Sequence, residues 1–265
     1  MTRADLSRAA GPFLVREIAY EPGTRMLPHR HDQPSITLVL AGGIRESVGS
    51  HEDDATPLSV VVKPAGVRHA DEFGPRGART LQIAWREDPG AGAGVFSSGW
   101  RWSHMRRGVP EFLALAEDAR ASGSSAGHLE SRVWDVLAAL EGASDPPRDP
   151  PAPDAPRWIE RIREEIDDRI GEGIEVRELA ASVGLHPGSL ARAFRRHFGE
   201  SITGYRTRER LRRAVASLAR CERSMSAIAH EAGFADHPHF CRAVREGTGR
   251  TPSELQRVVG FSRAG

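Results

Sequence analysis

Three histidines and four arginines are the residues whose type and spacing can do chemistry in this chain. His29 and His31 lie one residue apart, in the run Gly23-x5-His29-x-His31, and a third histidine closes Pro64-x-Gly66-x2-His69. On a strand, His29 and His31 project from the same face, and an imidazole from a neighbouring strand can complete the facial set of a divalent transition metal. The arginines point to a different chemistry. Arg192, Arg195, Arg242 and Arg245 fall on the polar side of segments whose apolar residues recur at helical spacing. A guanidinium so placed can donate twice to guanine O6 and N7, worth about 1–3 kcal/mol of discrimination.

The elements that must position these arginines occur twice. Val176, Leu179, Ala180 and Val183 mark one apolar helix face, Gly184 offers a sharp helix end, and Pro187 opens a second helix. In that second helix Leu190, Ala193 and Phe194 face inward and Phe198 closes the unit, leaving Gly188, Ala191, Arg192 and Arg195 outside, with Arg192 the best base reader. The plan repeats from Ile228. Gly233 makes the turn, Asp236 is placed to cap a helix opening with His237-Pro238, and Phe240, Ala243 and Val244 face inward. His237, His239, Arg242 and Arg245 form the second candidate reading set. Residues 202–220, with Tyr205, Leu211, Val215 and Leu218 near helical spacing, predict a rigid connector holding the reading helices about 34 Å apart, one duplex turn. Its Arg206, Arg208, Arg210, Arg212 and Arg213 read mainly as a solvated face, with one or two available to phosphate. Two such units in tandem suit a protein that enters two successive grooves of double-stranded DNA.

This segment resembles the AraC/XylS family of bacterial transcription regulators. The resemblance rests on Leu190-x-Arg192-x-Phe194-Arg195, Gly199, Tyr205, Arg210, Ala214, Ile228-Ala229, Gly233-Phe234, Phe240-x-Arg242 and Gly249-x-Thr251-Pro252. It implies an all-α domain of two helix-turn-helix units, a small-molecule effector, a homodimer and contact with RNA polymerase. The chain departs from the family in the small Gly188 and Ala191, where longer side chains are common, and in Val244, where an aromatic is usual.

Before residue 142 the pattern changes. Phe13-Leu-Val, Ile36 to Leu40, Leu58 to Val62 and Leu81 to Trp85 are short apolar runs separated by turn signals, which predicts a small antiparallel barrel or sandwich. Residues 110–120 and 128–141 read as helices that either cover the barrel or form a dimer surface. Six prolines between Gly142 and Pro156 cannot support a helix and mark a domain boundary. The expected organisation is an α+β multidomain chain: a barrel at 1–90, a helical extension at 91–141, a linker at 142–156 and the DNA-binding domain at 157–260. The two histidine motifs make the barrel similar to a cupin. The glutamate of metal-binding cupins is replaced by Ser35 or Ile36, however, and the Asn-like residue after the last histidine by Phe73. A divalent metal on His29, His31 and His69, a metal-free organic pocket, and a mere scaffold all remain open. An apolar lining from Ile36, Leu38, Leu40, Val60, Val62, Ile83 or Trp85, of unassigned face, would enclose one small molecule.

Composition narrows the class. At 265 residues, 39% hydrophobic and 28% charged, the chain suits about two globular domains. It has no eighteen-residue apolar run and no hydrophobic signal core at its start, so a cytoplasmic protein without a membrane partner is expected. Cys221 and Cys241 provide neither a disulfide framework nor a zinc site. Residues 157–265 hold twenty arginines against fifteen acids, whereas the rest holds 17 basic against 21 acidic groups; only the back half suits phosphate. Lys63 is the single lysine beside 36 arginines, a bias that a GC-rich genome also produces. No paired carboxylates, nucleophile elbow or phosphate loop occurs, so no enzyme is expected. The competing reading is a metal-dependent cupin enzyme or metal sensor fused to a DNA-binding domain.

Overall fold

In the computed structural model the described residues are 2–86, 93–97, 99–105, 108–141, 157–220 and 223–260. The proline-rich stretch 142–156 and Cys221 lie outside them. The N-terminal half is an antiparallel network of eight strands: β1 (Thr2–Ala10), β2 (Phe13–Tyr20), β3 (Arg25–His29), β4 (Ser35–Val48), β5 (His51–Ala55), β6 (Ser59–Lys63), β7 (His69–Trp85) and β8 (Arg101–His104). The long strands β4 and β7 pair along most of their length and divide the network. The first part of β4 and the last part of β7 share a sheet with β1, β2, β6 and β8. Their other halves pair with β5 and β3 respectively.

The change of direction sits at Gly42 and Gly77, with φ of 76° and 70°, beside register shifts at Val39/Ala41 and Gly42/Ile44. A Cβ on Gly42 would lie 2.0 Å from the Gly77 carbonyl oxygen, and one on Gly77 would lie 2.1 Å from that of Tyr20. Both a left-handed backbone and a close approach therefore require glycine at this bend.

Alternation along the strands separates two faces. Ile36, Leu38, Leu40, Val60, Val62, Leu81, Ile83 and Trp85 belong to one cluster with α1 (Val109–Arg120) and α2 (Ala126–Glu141). Phe13 meets Trp134 of α2 edge-on at 5.2 Å. The residues offered by the sequence as a cavity lining are thus spent beneath helices, because a helix pair supplies more apolar contact than a small ligand does. The buried positions of α1 and α2 fill this core, so the helices cover the sheet. The opposite face carries Val39, Ile44, Ala55, Val61, Phe73 and Ala78, with Tyr20, Met26, Trp100 and Trp102 packed beside them. One further difference is β8, which pairs with β6 inside the stretch expected to be helical from residue 91. Four residues are too few for a period to register in the sequence, and β6 supplies their ladder.

The C-terminal half is helical: α3 (Arg157–Asp168), α4 (Val176–Ser182), α5 (Pro187–Phe198), α6 (Ile202–Arg220), α7 (Met225–Glu231), α8 (His237–Thr248) and α9 (Pro252–Val259). It has two cores. Ile162, Ile166, Leu179, Leu190 and Phe194 close around Ile202 and Tyr205 at the start of α6. Leu211, Ala214, Val215 and Leu218 at its other end join α7, α8, α9 and the N-terminal core in one continuous cluster.

The arginines of α6 correct the sequence reading. Arg206 donates to the Ile174 and Glu172 carbonyls at 2.7 and 2.8 Å, Arg210 to Ile170 at 2.8 Å, and Arg213 to Asp167 at 2.6 Å. Arg208 and Arg212 bind Glu209. Arg206, Arg210 and Arg213 satisfy carbonyls at the end of α3 and the turn after it, groups a helix leaves without partners. Arg206, Arg208, Arg210 and Arg212 are half-buried rather than a solvated face, and Arg213 alone of the five is exposed. Among the described residues, no helix is long and apolar enough to cross a membrane.

Gly49 also has a positive φ, 61°, but open space beside it. Gly49→Ala is expected to cost about 1–2 kcal/mol for the left-handed backbone. Gly42→Ala adds a backbone collision and is expected to exceed that range. Urea unfolding of both variants checks this; equal losses would mean that the bend relaxes freely.

Candidate nucleic-acid interface and histidine cluster

Each half of the helical domain presents one helix in the same way. The Gly184 turn follows α4, with φ of 68° and a Leu185 N–H donating to the Ala180 carbonyl at 2.8 Å. His186 then caps α5, its Nδ1 accepting from the Gly188 N–H at 3.2 Å, and Pro187 occupies the first turn. Leu190 and Phe194 are fully buried, which turns Ala191, Arg192 and Arg195 to solvent and leaves Gly188 half-buried. Arg192 donates to Ser189 Oγ at 3.3 Å, which steadies its stem. In the second half Asp236 caps α8 as the sequence predicts, accepting from the His239 N–H at 2.6 Å. Phe240, Ala243 and Val244 are buried; His237, Arg242 and Arg245 are exposed. His239 is half-buried against the Phe234 ring, 5.3 Å between centroids, so part of its role is packing. His237 touches Cys241 Sγ at 3.6 Å. Gly199 and Gly249, with φ of 75° and 68°, end the two helices identically.

Residues 179–257 match the family model of a helix-turn-helix domain. This part of the chain is a helix-turn-helix domain. The chain is 31% identical over 99 residues to the uncharacterized HTH-type transcriptional regulator YijO of Escherichia coli, covering 37% of this chain and 35% of that one. It is 26% identical over 128 residues to the arabinose operon regulatory protein of Salmonella typhimurium, covering 48% and 43% respectively. The chain thus spans less than half the length of these curated relatives. Among solved structures, fatty-acid-bound ToxT of Vibrio cholerae aligns over 97% of this chain and 98% of its own, at 13% identity and a TM-score of 0.37.

Besides the shared apolar core, the helix-turn-helix domain is tied to the N-terminal half by two arginines gathered on one buried carboxylate. Glu17 of β2 accepts from Arg120 of α1 at 2.8 and 2.9 Å and pairs with Arg79 of β7 at 3.2 Å. Both arginines also donate to the Val258 carbonyl near the end of α9, Arg79 at 2.6 Å and Arg120 at 3.3 Å. Arg250 adds an ion pair with Glu117 at 2.6 Å. The second reading helix therefore sits in a unit fixed to the strands β2 and β7.

The three histidines meet where β3 pairs with the start of β7. His29 pairs in register with His69 across β3 and β7, and His31 follows two residues later. Ring centroids lie 4.3–5.1 Å apart, and one nitrogen from each ring falls within 4.8 Å of the others. In His29 the Nδ1 faces the Leu27 carbonyl at 2.9 Å, and in His69 it faces the Val67 carbonyl at 3.1 Å. A carbonyl only accepts, so each Nδ1 donates, and in the neutral form of either ring the lone pair is on Nε2. The Nε2 of His69 has no hydrogen-bond partner although the residue is 2% exposed. Burial pushes the His69 imidazole down to about 4 and lowers that of His31, so both are neutral at pH 7.

Sequence reasoning missed the groups behind them. Asp71, 6% exposed, holds Oδ2 at 3.9 Å from His29 Nε2 and 3.8 Å from His69 Nε2, and Oδ1 at 3.8 Å from Lys63 Nζ. Lys63 also pairs with fully buried Glu46, whose other oxygen accepts from Trp102 Nε1 at 2.7 Å. Burial disfavours the Lys63 ammonium, but Glu46 and Asp71 outweigh this and raise its pKa. The Trp100 ring lies 4.6 Å from His69 and under Lys63 Nζ. Two signals could have revealed this set: Asp71 stands two residues after His69 and so shares its face, and Lys63 is the one lysine in an arginine-rich chain.

Glu17→Ala is expected to lower the unfolding free energy by about 3–5 kcal/mol, because it strips the buried Arg79 guanidinium of its carboxylate. It should also separate unfolding of the sheet, followed by near-UV circular dichroism, from that of the helices, followed in the far UV. A single coincident, unshifted transition would show that the halves do not depend on this contact.

Proposed function

We propose that the chain is a sequence-specific DNA-binding transcription regulator whose N-terminal half is a cupin-like barrel that binds a small effector. The observation that carries the reading is the matched presentation of α5 and α8. Each is capped and opened by proline, ended by a left-handed glycine, and anchored by two buried residues four apart, Leu190 and Phe194 in one, Phe240 and Val244 in the other. Each leaves two arginines outside, Arg192 and Arg195 or Arg242 and Arg245. As two helix-turn-helix units they enter successive major grooves about 34 Å apart, with Gly188, Ala191, His237 and His239 at the same surfaces. The protein acts in the cytoplasm, as a homodimer on its operator, and contacts RNA polymerase there. It is not an enzyme.

Effector binding reaches the DNA through the arrangement of the cores. The second unit shares its core with the sensor and is held by Glu17, Arg79 and Arg120, whereas the first is attached through α6. A change in β2 and β7 therefore alters the angle between the reading helices. The effector shifts that equilibrium only by its differential affinity for the two arrangements.

Selection from a randomised duplex pool is expected to yield a bipartite site with half-sites one turn apart. On that site Arg242→Ala should weaken binding by about 1–3 kcal/mol and relax preference at one base position, and Arg192→Ala should do the same in the other half-site. Fluorescence anisotropy on point-mutated duplexes reads both. Uniform weakening across all sequences would assign these arginines to phosphate, and recovery of no preferred sequence would remove the regulator reading.

A further inference from the structure

We infer that the effector site takes a first-row divalent transition-metal ion, held by His29, His31, His69 and Asp71. This names the ligand class of the sensor proposed above and rests on that reading only for its signalling role. The cupin pattern in the sequence lacks its carboxylate after the His-x-His pair, where Ser35 and Ile36 stand. The fold supplies a carboxylate from elsewhere, since Asp71 lies on the strand of the third histidine and on the same face.

The four groups are arranged as ligands rather than as a hydrogen-bonded cluster. The protons of His29 and His69 are tied back to the Leu27 and Val67 carbonyls, so the two Nε2 lone pairs converge beside Asp71 Oδ2. Such outer partners fix tautomer and ring orientation in metal sites. The buried Nε2 of His69, which faces Asp71 Oδ2, has no hydrogen-bond partner, and a buried polar group left unsatisfied is unfavourable. A metal with bonds of 2.0–2.1 Å places ligand nitrogens about 3.3 Å apart. The present separations, up to 4.8 Å, need side-chain closure of roughly an ångström or more, which the exposed His31 can provide. Lys63 holds the far oxygen of Asp71, and Glu46 and Trp102 hold Lys63, so the carboxylate keeps one oxygen turned to the histidines. Three imidazoles and one carboxylate favour zinc, iron, nickel, cobalt or copper over magnesium or calcium.

The test uses the full chain stripped with chelator and titrated with Co2+, followed by its visible absorption, and with Zn2+ in competition. One equivalent is expected to bind. His31→Ala, at an exposed position, and His29→Ala/His31→Ala should abolish saturable binding, with thermal unfolding of the stripped proteins compared to confirm that the variants fold. Asp71→Asn should weaken binding by about 10–100-fold and change the Co2+ spectrum, and Asp71→Glu should restore much of it. No saturable binding by the wild-type chain, or undiminished binding in the His31→Ala variant, overturns the site; an unchanged affinity and spectrum in Asp71→Asn overturns the role of Asp71. Binding to the selected duplex is measured in parallel, with and without Zn2+. A change of about 5–150-fold on loading is expected of an effector, and equal affinities overturn the signalling role. Sequence-specific DNA binding that persists without any metal binding rejects this inference while leaving the regulator reading intact. Metal binding without any sequence-specific DNA binding does the reverse.

Discussion

One helix has to satisfy two hydrophobic cores at once, and the rest of the molecule is arranged around that constraint. The start of α6 is buried with the first helix pair and its end with the second pair and the sensor. Nineteen residues of α-helix span about 28 Å, so the helix is both a spacer between reading surfaces and the only described secondary-structure element shared by the two cores. The second helix pair thus packs directly on the N-terminal half, and the first is connected to it through α6.

Arginine does two separate jobs in this chain, and the partners within its reach decide which. Arg8, Arg79, Arg120, Arg206, Arg210 and Arg213 donate to carbonyls at or just beyond the ends of α1, α9 and α3. Those carbonyls have no partner within their own helix, and a delocalised cation near the negative end of the helix dipole is favourable as well. Arg192, Arg195, Arg242 and Arg245 stand on the outer faces of helices whose inner faces are filled by Leu190 and Phe194 or by Phe240 and Val244. These four side chains stand exposed.

The helix pairs were legible in the sequence because their signals are local. A period of 3.6, a glycine after the helix, a proline in the first turn and Asp236 as a cap each act within a few residues, and the structure places each as read. The roles of the α6 arginines were not legible, since their partners at Asp167, Ile170, Glu172 and Ile174 are some 30 to 46 residues away. The faces of the strands were hidden for a related reason. Alternation shows that Leu38 and Val39 point to opposite sides, but only the docking of α1 and α2 decides which side is covered.

By itself the sequence determined the two-part character of the chain, the tandem helix pairs with their exposed arginines, and the three histidines as a set. All of these rest on spacing along one element or on a motif. Only the tertiary structure decided that Asp71 stands beside the three histidines, that the lone Lys63 lies against it, and that the arginines paired with Glu17 reach the end of α9. The reason is physical: pairing of β3 with β7 and of β4 with β7 converts distances of tens of residues into distances of a few ångströms, and electrostatic chemistry depends on the second kind.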